Sequence, residues 1–336
     1  MSRLFLVVAF ALLLAPLARA QSFYEGKTIT IVTSTGVGGV YDLTARVIAR
    51  HMGQHIPGNP TIIVQNMPGG GNVLATNYMY NIAAKDGLTL ASIHNAMPLH
   101  QVLDGRGVRF DAAKFNWLGS TGPENEVILV WHTAGITSIK QAMQREVVLG
   151  STGAGSGLSI IPTAMNHVLG TRFKLVIGYK TSEDINLALE RGEVQARAFG
   201  LNSIVAQHAD WLNDGKVVFL AQSGIKRDRN LPDVPLLTDL AATPEQRDVL
   251  RLISSPAGLG HPYLAPPGVP AERLAILRQA FAATLADKAF IAETEKLGIP
   301  IDAMTGEEVS KIVADTIGAA PDVVAKGKAA TESTSP

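Results

Sequence analysis

The chain has no cysteine anywhere in its 336 residues. Disulfide staples, thiolate metal sites, cysteine nucleophiles and a lipid-anchoring cysteine are excluded together. An excess of one charge is missing as well, since 29 Lys and Arg face 29 Asp and Glu. Nucleic-acid binding rests on clustered positive charge and on stacking, yet aromatics make up only 6% of the chain and no basic patch is interleaved with them. A nucleic-acid partner is therefore not expected. The one long apolar run, Leu4 to Leu14, is far shorter than the ~20 residues that a membrane span needs. Preceded by Arg3 and followed by Ala18-Arg19-Ala20, it has the order of a cleavable secretory signal, with cleavage expected near Ala20 and Gln21. Residues 1–20 are read as that signal, which sends the chain to the periplasm. Its removal takes Arg3 and Arg19 but no acid, leaving the remainder weakly acidic. A chain of this length builds a core large enough to fold without disulfides, and two domains are the default count.

What is abundant is glycine, in clusters. Thr28 to Thr33 alternates and is β-branched, which predicts a strand, and Gly36, Gly38 and Gly39 break it. Leu43, Val47, Ile48 and Met52 then recur at helical spacing over about Tyr41 to Gln54, with Asp42 in the first turn where a carboxylate suits the helix dipole. Strands are predicted again at Thr61 to Gln65 and Thr89 to Ile93. A second series follows: strands at Val127 to His132, Val147 to Gly150, Lys174 to Gly178, Val194 to Phe199 and Lys216 to Gln222, with helices at Ser138 to Met143, Leu158 to Leu169 and Ser182 to Glu190. Alternation of strand, glycine loop and helix is the pattern of an α/β fold. The breaker-rich stretch Ser255 to Gly268 reads as a return crossing, followed by helices at Pro270 to Ala286 and Glu307 to Ile317 and a small, polar tail from Gly327 that is expected to fray. The expected organisation is a first α/β domain over 21–125, a second over 126–254, and a return to the first over 255–336.

Two strand-to-helix loops stand out. Ser34-Thr35-Gly36-Val37-Gly38-Gly39 and Gly150-Ser151-Thr152-Gly153-Ala154-Gly155-Ser156-Gly157 each lead into a helix start, where unpaired N–H groups and the helix dipole favour an anion. Tight-turn glycines alone would also explain them. The first loop is no nucleotide fingerprint: Tyr41 stands where the dinucleotide pattern wants its third glycine, and the loop lacks a Gly-Lys-Ser/Thr. The second adds hydroxyls at Ser151, Thr152 and Ser156. Facing each other across a cleft, the loops would offer two convergent helix ends to an anionic small molecule. Asp42 steers ligand or orients the loop, or else simply pairs with Arg46 four residues on. Lys180, in Tyr179-Lys180-Thr181-Ser182, is either a cation for the cleft or an exposed turn lysine. Asn95 and Asn202 complete the candidate contacts, which are Ser34, Thr35, Gly38, Gly39, Tyr41, Asp42, Asn95, Ser151, Thr152, Ala154, Gly155, Ser156, Tyr179, Lys180 and Asn202.

Histidine offers no metal site. His51 and His55 have helical spacing, but Met52-Gly53-Gln54 between them lacks the glutamate of the zinc-protease motif. His94, His132 and His261 either line the cleft or cap loops. A Gly-x-Ser-x-Gly elbow is absent, because Ala154 stands two places before Ser156. No metal or cofactor is expected.

Taken in order, Gly36-Val37-Gly38-Gly39-Val40-Tyr41-Asp42 with Ala45-Arg46, Asn66-Met67-Pro68-Gly69-Gly70-Gly71-Asn72, Asp86-Gly87, Gly150 to Ser156, Tyr179-Lys180, Gly192-Glu193-Val194, Leu231-Pro232-Asp233-Val234-Pro235 and Ala265 to Pro270 resemble the Bordetella uptake gene family. These are the solute-binding proteins of tripartite tricarboxylate transporters. The resemblance implies a two-lobe, hinge-linked periplasmic binding fold of the type II kind. It also implies a small carboxylate, a di- or tricarboxylate or an aromatic acid, held by Ser34 to Asp42 and Ser151 to Ser156, membrane permease subunits as partners, action as a monomer and no catalysis. The first loop lacks the proline usual in the family, and Thr181 replaces a glycine common after Tyr-Lys, so the resemblance does not fix the ligand. A sensory binding protein has the same fold. An exported carboxylate-processing enzyme is the third reading, though the chain lacks a recognisable set of nucleophile, base and orienting group.

Overall fold

The computed structural model describes residues 23–153 and 156–332. The expected signal and, in the second glycine loop, Ala154 and Gly155 lie outside the described residues.

The strands form two separate sheets. The first carries, in spatial order, β11 (Met304–Thr305), β4 (Asn116–Ser120), β10 (Pro262–Ala265), β3 (Thr89–Ser92), β1 (Thr28–Thr33) and β2 (Thr61–Asn66). The second runs β7 (Phe173–Ile177), β6 (Val147–Ser151), β8 (Ala196–Gly200), β5 (Glu126–Trp131), β9 (Val217–Ser223). In the first sheet β1 pairs in parallel with β2 and β3, while β10 runs antiparallel between β3 and β4. In the second, β6 is parallel to β7 and β8, and β5 is antiparallel to β8 and β9.

The inner strands of each sheet are covered on both faces, so residues of both parities are buried along them. In β1, Ile29 and Ile31 pack with Val47, Ile48 and Phe281 beneath the helices Val40–Met52 and Ala271–Leu285, while Val32 packs on the opposite face with Val309 and Val313 of the helix Gly306–Ile317. In β5, Val127, Leu129 and Trp131 join Trp211, whereas Ile128 and Val130 face Ile161 and Met165 of the helix Gly157–Leu169. The side-chain period of two in a strand divides each run between the two layers.

Two of these findings amend expectation. The breaker-rich return holds β10, an entirely buried strand in the middle of the first sheet. Pro262 is tolerated there because it is the strand's first residue, where a missing N–H disturbs the ladder least. The tail does not fray at Gly327: a helix runs over Pro321–Thr331 and lies mainly on the second lobe, against the helices Gly157–Leu169 and Pro244–Ile253. Ala330 belongs to the core with Val249 and Leu252, His167 Nδ1 lies 2.8 Å from the Ala330 carbonyl, and Lys326 pairs with Glu245. Gly327 is small enough to let this helix sit against Leu103 and Leu252.

The chain changes sheet between Ser120 and Glu126 and again before Pro262, and the two crossings run side by side. Ser120 Oγ donates to the Leu259 carbonyl at 2.6 Å and Glu124 N to the Ala257 carbonyl at 2.9 Å. At their closest point Gly260, with φ +54°, lies so near Gly122 that a Cβ on it would stand 1.6 Å from the Gly122 carbonyl oxygen.

Candidate ligand-binding cleft

A cavity of about 790 Å³ opens between the lobes, outside the carboxyl ends of the parallel strands of both sheets. This is where α/β folds generally place their ligands. Val40, Tyr41, Gly70 to Asn72 and His94 to Met97 line it from the first lobe, Thr152, Gly153, Ser156 to Leu158, Ser182, Phe199, Gly200 and Ser203 from the second, and Glu124, Glu126 and His261 from the crossings.

Asp42 is the organiser of the first loop. It is buried, accepts from Gly38 N at 3.0 Å, from Asn66 Nδ2 at 2.9 Å and from Arg46 Nε at 3.0 Å, and so ties the loop to the helix behind it. Burial alone would raise its pKa, but the hydrogen bonds from Arg46, Gly38 and Asn66 outweigh burial and hold it below the usual carboxylate value. Both readings of Asp42, loop orientation and the pair with Arg46, describe the same set of bonds.

Tyr41 is a strut across the cleft floor. Its hydroxyl accepts from Asn95 N at 3.0 Å and donates to the Gly260 carbonyl at 3.1 Å. Its ring stacks on His94, with centroids 5.4 Å apart, and meets the His261 ring edge-on at 4.5 Å. Burial and the neighbouring His261 push His94 down to about 4, so the imidazole is neutral at physiological pH and its Nδ1 can accept from Ala96 N at 3.2 Å.

Of the residues singled out from the sequence, Tyr41, Asn95, Thr152 and Ser156 meet in the cavity wall. Ser34 is buried behind it, its Oγ accepting from His94 N at 2.9 Å. Ser151 is also buried, and its hydroxyl is 2.6 Å from Ser159 Oγ and 3.2 Å from Ser156 Oγ, engaged within the loop. Thr35, Gly38 and Gly39 stand outside the wall, the glycines on the exposed rim. Tyr179 packs at the edge of the apolar cluster that holds Leu189 and Val194, Lys180 is exposed, and Asn202 turns its backbone N–H to Glu124 Oε1 at 3.1 Å. The exposed-turn reading of Lys180 is therefore the one that the geometry fits.

The residues that the sequence did not disclose are the acids. Glu124 bridges the lobes, taking Asn202 N on one oxygen and lying 3.0 Å from His261 Nε2 on the other. Glu126, the first residue of β5, sets its carboxylate beside the first turn of the helix Gly157–Leu169, where a Cβ on Gly157 would be 3.5 Å from its Oε1. Burial against a crevice lined by Leu99, Ile160, Ile161 and Ile253, with the charge of Glu124 nearby, pushes Glu126 up to about 7. Arg197 is fully buried beneath the same region: its guanidinium lies 3.8 Å from the ring centre of Phe199, a wall residue, and donates to Ser182 O at 2.9 Å. Among the described residues there is no cluster of three or more metal-ligating side chains, and no helix is long and apolar enough to cross a membrane.

Comparison with known proteins gives the family and the fold. The model of the tripartite tricarboxylate transporter family receptor matches residues 44–327. The chain belongs to that receptor family. A UPF0065 protein encoded in the gbd 5' region of Cupriavidus necator is 26% identical over 307 residues, 89% of this chain and 87% of that protein. Among solved structures, a TctC solute-binding protein from Polaromonas superposes with a TM-score of 0.66 at 18% identity, covering 90% of this chain and 98% of that one. MatC from Rhodopseudomonas palustris, with bound malate, gives 0.67 at 20% identity, covering 91% and 99%. The receptor's fold is thus the two-lobe architecture of periplasmic binding proteins. The Leu231-Pro232-Asp233-Val234-Pro235 landmark has a structural role: buried Gln222 donates to the carbonyls of Leu231 and Val234, both at 2.8 Å, and clamps that segment to β9.

Proposed function

We propose that this receptor captures a small organic carboxylate in the periplasm, closing its two lobes on it, and delivers it as a monomer to the membrane subunits of a tripartite tricarboxylate transporter without altering it. The observation that carries the reading is the cavity itself, walled from both lobes and reached by the first turns of the helices Val40–Met52 and Gly157–Leu169. Helix starts supply N–H donors and a favourable dipole without a cationic side chain. The malate held by the receptor from R. palustris supports a small carboxylate as cargo.

A melting screen of organic acids tests the reading. An acid at 100 times its dissociation constant adds ~2.7 kcal/mol to the folded state, enough for a clear upward shift. Neutral sugars should give none, and mass spectrometry after prolonged incubation should return the acid unchanged. A shift with sugars and none with carboxylates would remove the reading; turnover of the acid would make the protein an enzyme. For any acid that binds, Lys180→Met should alter the calorimetric affinity by no more than a factor of about two, since an exposed charge outside the cavity is screened by solvent and salt. Loss of binding in that variant would reassign capture to a side-chain cation.

A further inference from the structure

We propose that the cargo carries a protonated amine as well as its carboxylate, and that Glu126 together with Asn95 receives the amine. The proposal rests on the reading of the cleft as a carboxylate site and specifies which acids fill it.

Among the described residues the wall holds hydrogen-bond acceptors that are supplied with no donor. Glu126 and Asn95 both line the cleft, and one oxygen of each, Glu126 Oε2 and Asn95 Oδ1, is buried at its wall with no partner among the described residues; Asn95 is only 6% exposed. Buried acceptors without donors are costly, and a ligand that brings donors to them recovers that cost on binding. Glu124 beside them is already engaged by His261 and Asn202. It adds negative charge to the wall without competing for the donor.

The balance of charge points the same way. Among the described wall residues Arg106 is the sole Arg or Lys, and it is exposed and paired with Asp104, while the acids are Asp104, Glu124 and Glu126. His94 is held neutral by burial. A ligand with carboxylates at both ends would set one of them against Glu124 and Glu126, a like-charge contact in a partly desolvated site. A ligand with one carboxylate and one ammonium places its positive end on that wall. Its carboxylate goes to the Thr152, Gly153 and Ser156 turn or to the start of the helix Val40–Met52. An ammonium is preferred over a hydroxyl because a desolvated carboxylate needs charge compensation as well as a hydrogen bond. The raised pKa of Glu126 fits a group that lacks its counter-ion and would ionise fully once an ammonium is beside it.

Titration calorimetry at pH 8 with EDTA present, on the wild-type protein and on Glu126→Gln, tests this with matched probes. 4-Aminobutyrate is compared with glutarate, and 5-aminopentanoate with adipate, so that within each pair only the far group changes. The amino acids are expected to bind at least about ten-fold tighter than their dicarboxylate partners, and Glu126→Gln to erase that preference while glutarate and adipate hold or improve. Asn95→Leu, which removes an acceptor without touching a charge, should weaken the amino acids more than the dicarboxylates. Dicarboxylates equal to or tighter than the amino acids on the wild type overturn the inference and leave the carboxylate reading standing. A preference that survives both substitutions overturns the assignment to Glu126 and Asn95. If none of the four acids binds, the inference falls, and the carboxylate reading is decided by the melting screen.

Discussion

Gly260→Ala is expected to destabilise the protein by ~4 kcal/mol or more, the range reserved for changes with a definite steric cause. Gly260 has φ +54° and ψ −116°, a region that L-residues avoid, and the added Cβ would stand 1.6 Å from the Gly122 carbonyl oxygen and 2.7 Å from its carbonyl carbon. Strain from such a backbone conformation costs ~1–3 kcal/mol. The clash adds to it because the obstacle is backbone that cannot swing aside. Relief requires the two crossings to part, which would stretch the Tyr41 hydrogen bond to the Gly260 carbonyl and the Ser120 bond to Leu259. Thermal unfolding of Gly260→Ala beside Gly135→Ala gives the measurement. Gly135 also has positive φ, at +66°, but open space around the site of a Cβ, so its substitution should cost only about 1 kcal/mol. Equal losses in the two variants would mean that the crossings do not touch as described.

The second large effect is on pH dependence. Glu126 is shifted from an ordinary 4.5 to about 7 by burial and by Glu124. A carboxyl raised in the folded state binds its proton more tightly there than in the unfolded chain, so its share of stability is intact below the unfolded value and lost as pH rises from about 4.5 to about 7. The groups facing it are the Glu124 carboxylate, the first turn of the helix Gly157–Leu169, and the apolar Leu99, Ile160 and Ile253. Only the helix end favours the ionised form. Urea unfolding at pH 5 and pH 8 should show Glu126→Gln gaining roughly 1–3 kcal/mol on the wild type at pH 8 and far less at pH 5. A difference that is the same at both pH values would mean that Glu126 ionises as freely as an exposed acid.

How much of this could be read from the residues alone depends on how local the determining physics is. β1 was legible to the residue, because Thr28 to Thr33 alternates and is bounded by glycines. The helix Ser182–Glu190 was equally so, and its start is fixed by a capping box between Thr181 and Asp184 that is complete within four residues. β10 was not legible. Four residues between prolines look like a loop, and Pro262–Ala265 becomes a strand only because β3 and β4 present edges on either side. The final helix was missed for a related reason: Gly327 and Ala330 look too small to pack, and smallness is what lets them fit against Leu103 and Leu252. In the cleft, the loops that lead into helices were visible as glycine clusters. Glu124 and Glu126 carry no local mark, since a Glu-Asn-Glu is unremarkable until the crossings fold it against His261 and the helix Gly157–Leu169.

The helix Pro321–Thr331 has a practical consequence. Tyr24 is anchored in the core of the first lobe and Ala330 in that of the second. A pair of dyes attached near Glu25 and Thr331 therefore rides on opposite lobes, and energy transfer between them would report the proposed closure on cargo. Because the chain has no cysteine of its own, a cysteine introduced at each position would be labelled without background. The receptor could become an optical sensor for its own ligand with no fluorescent domain inserted into either sheet.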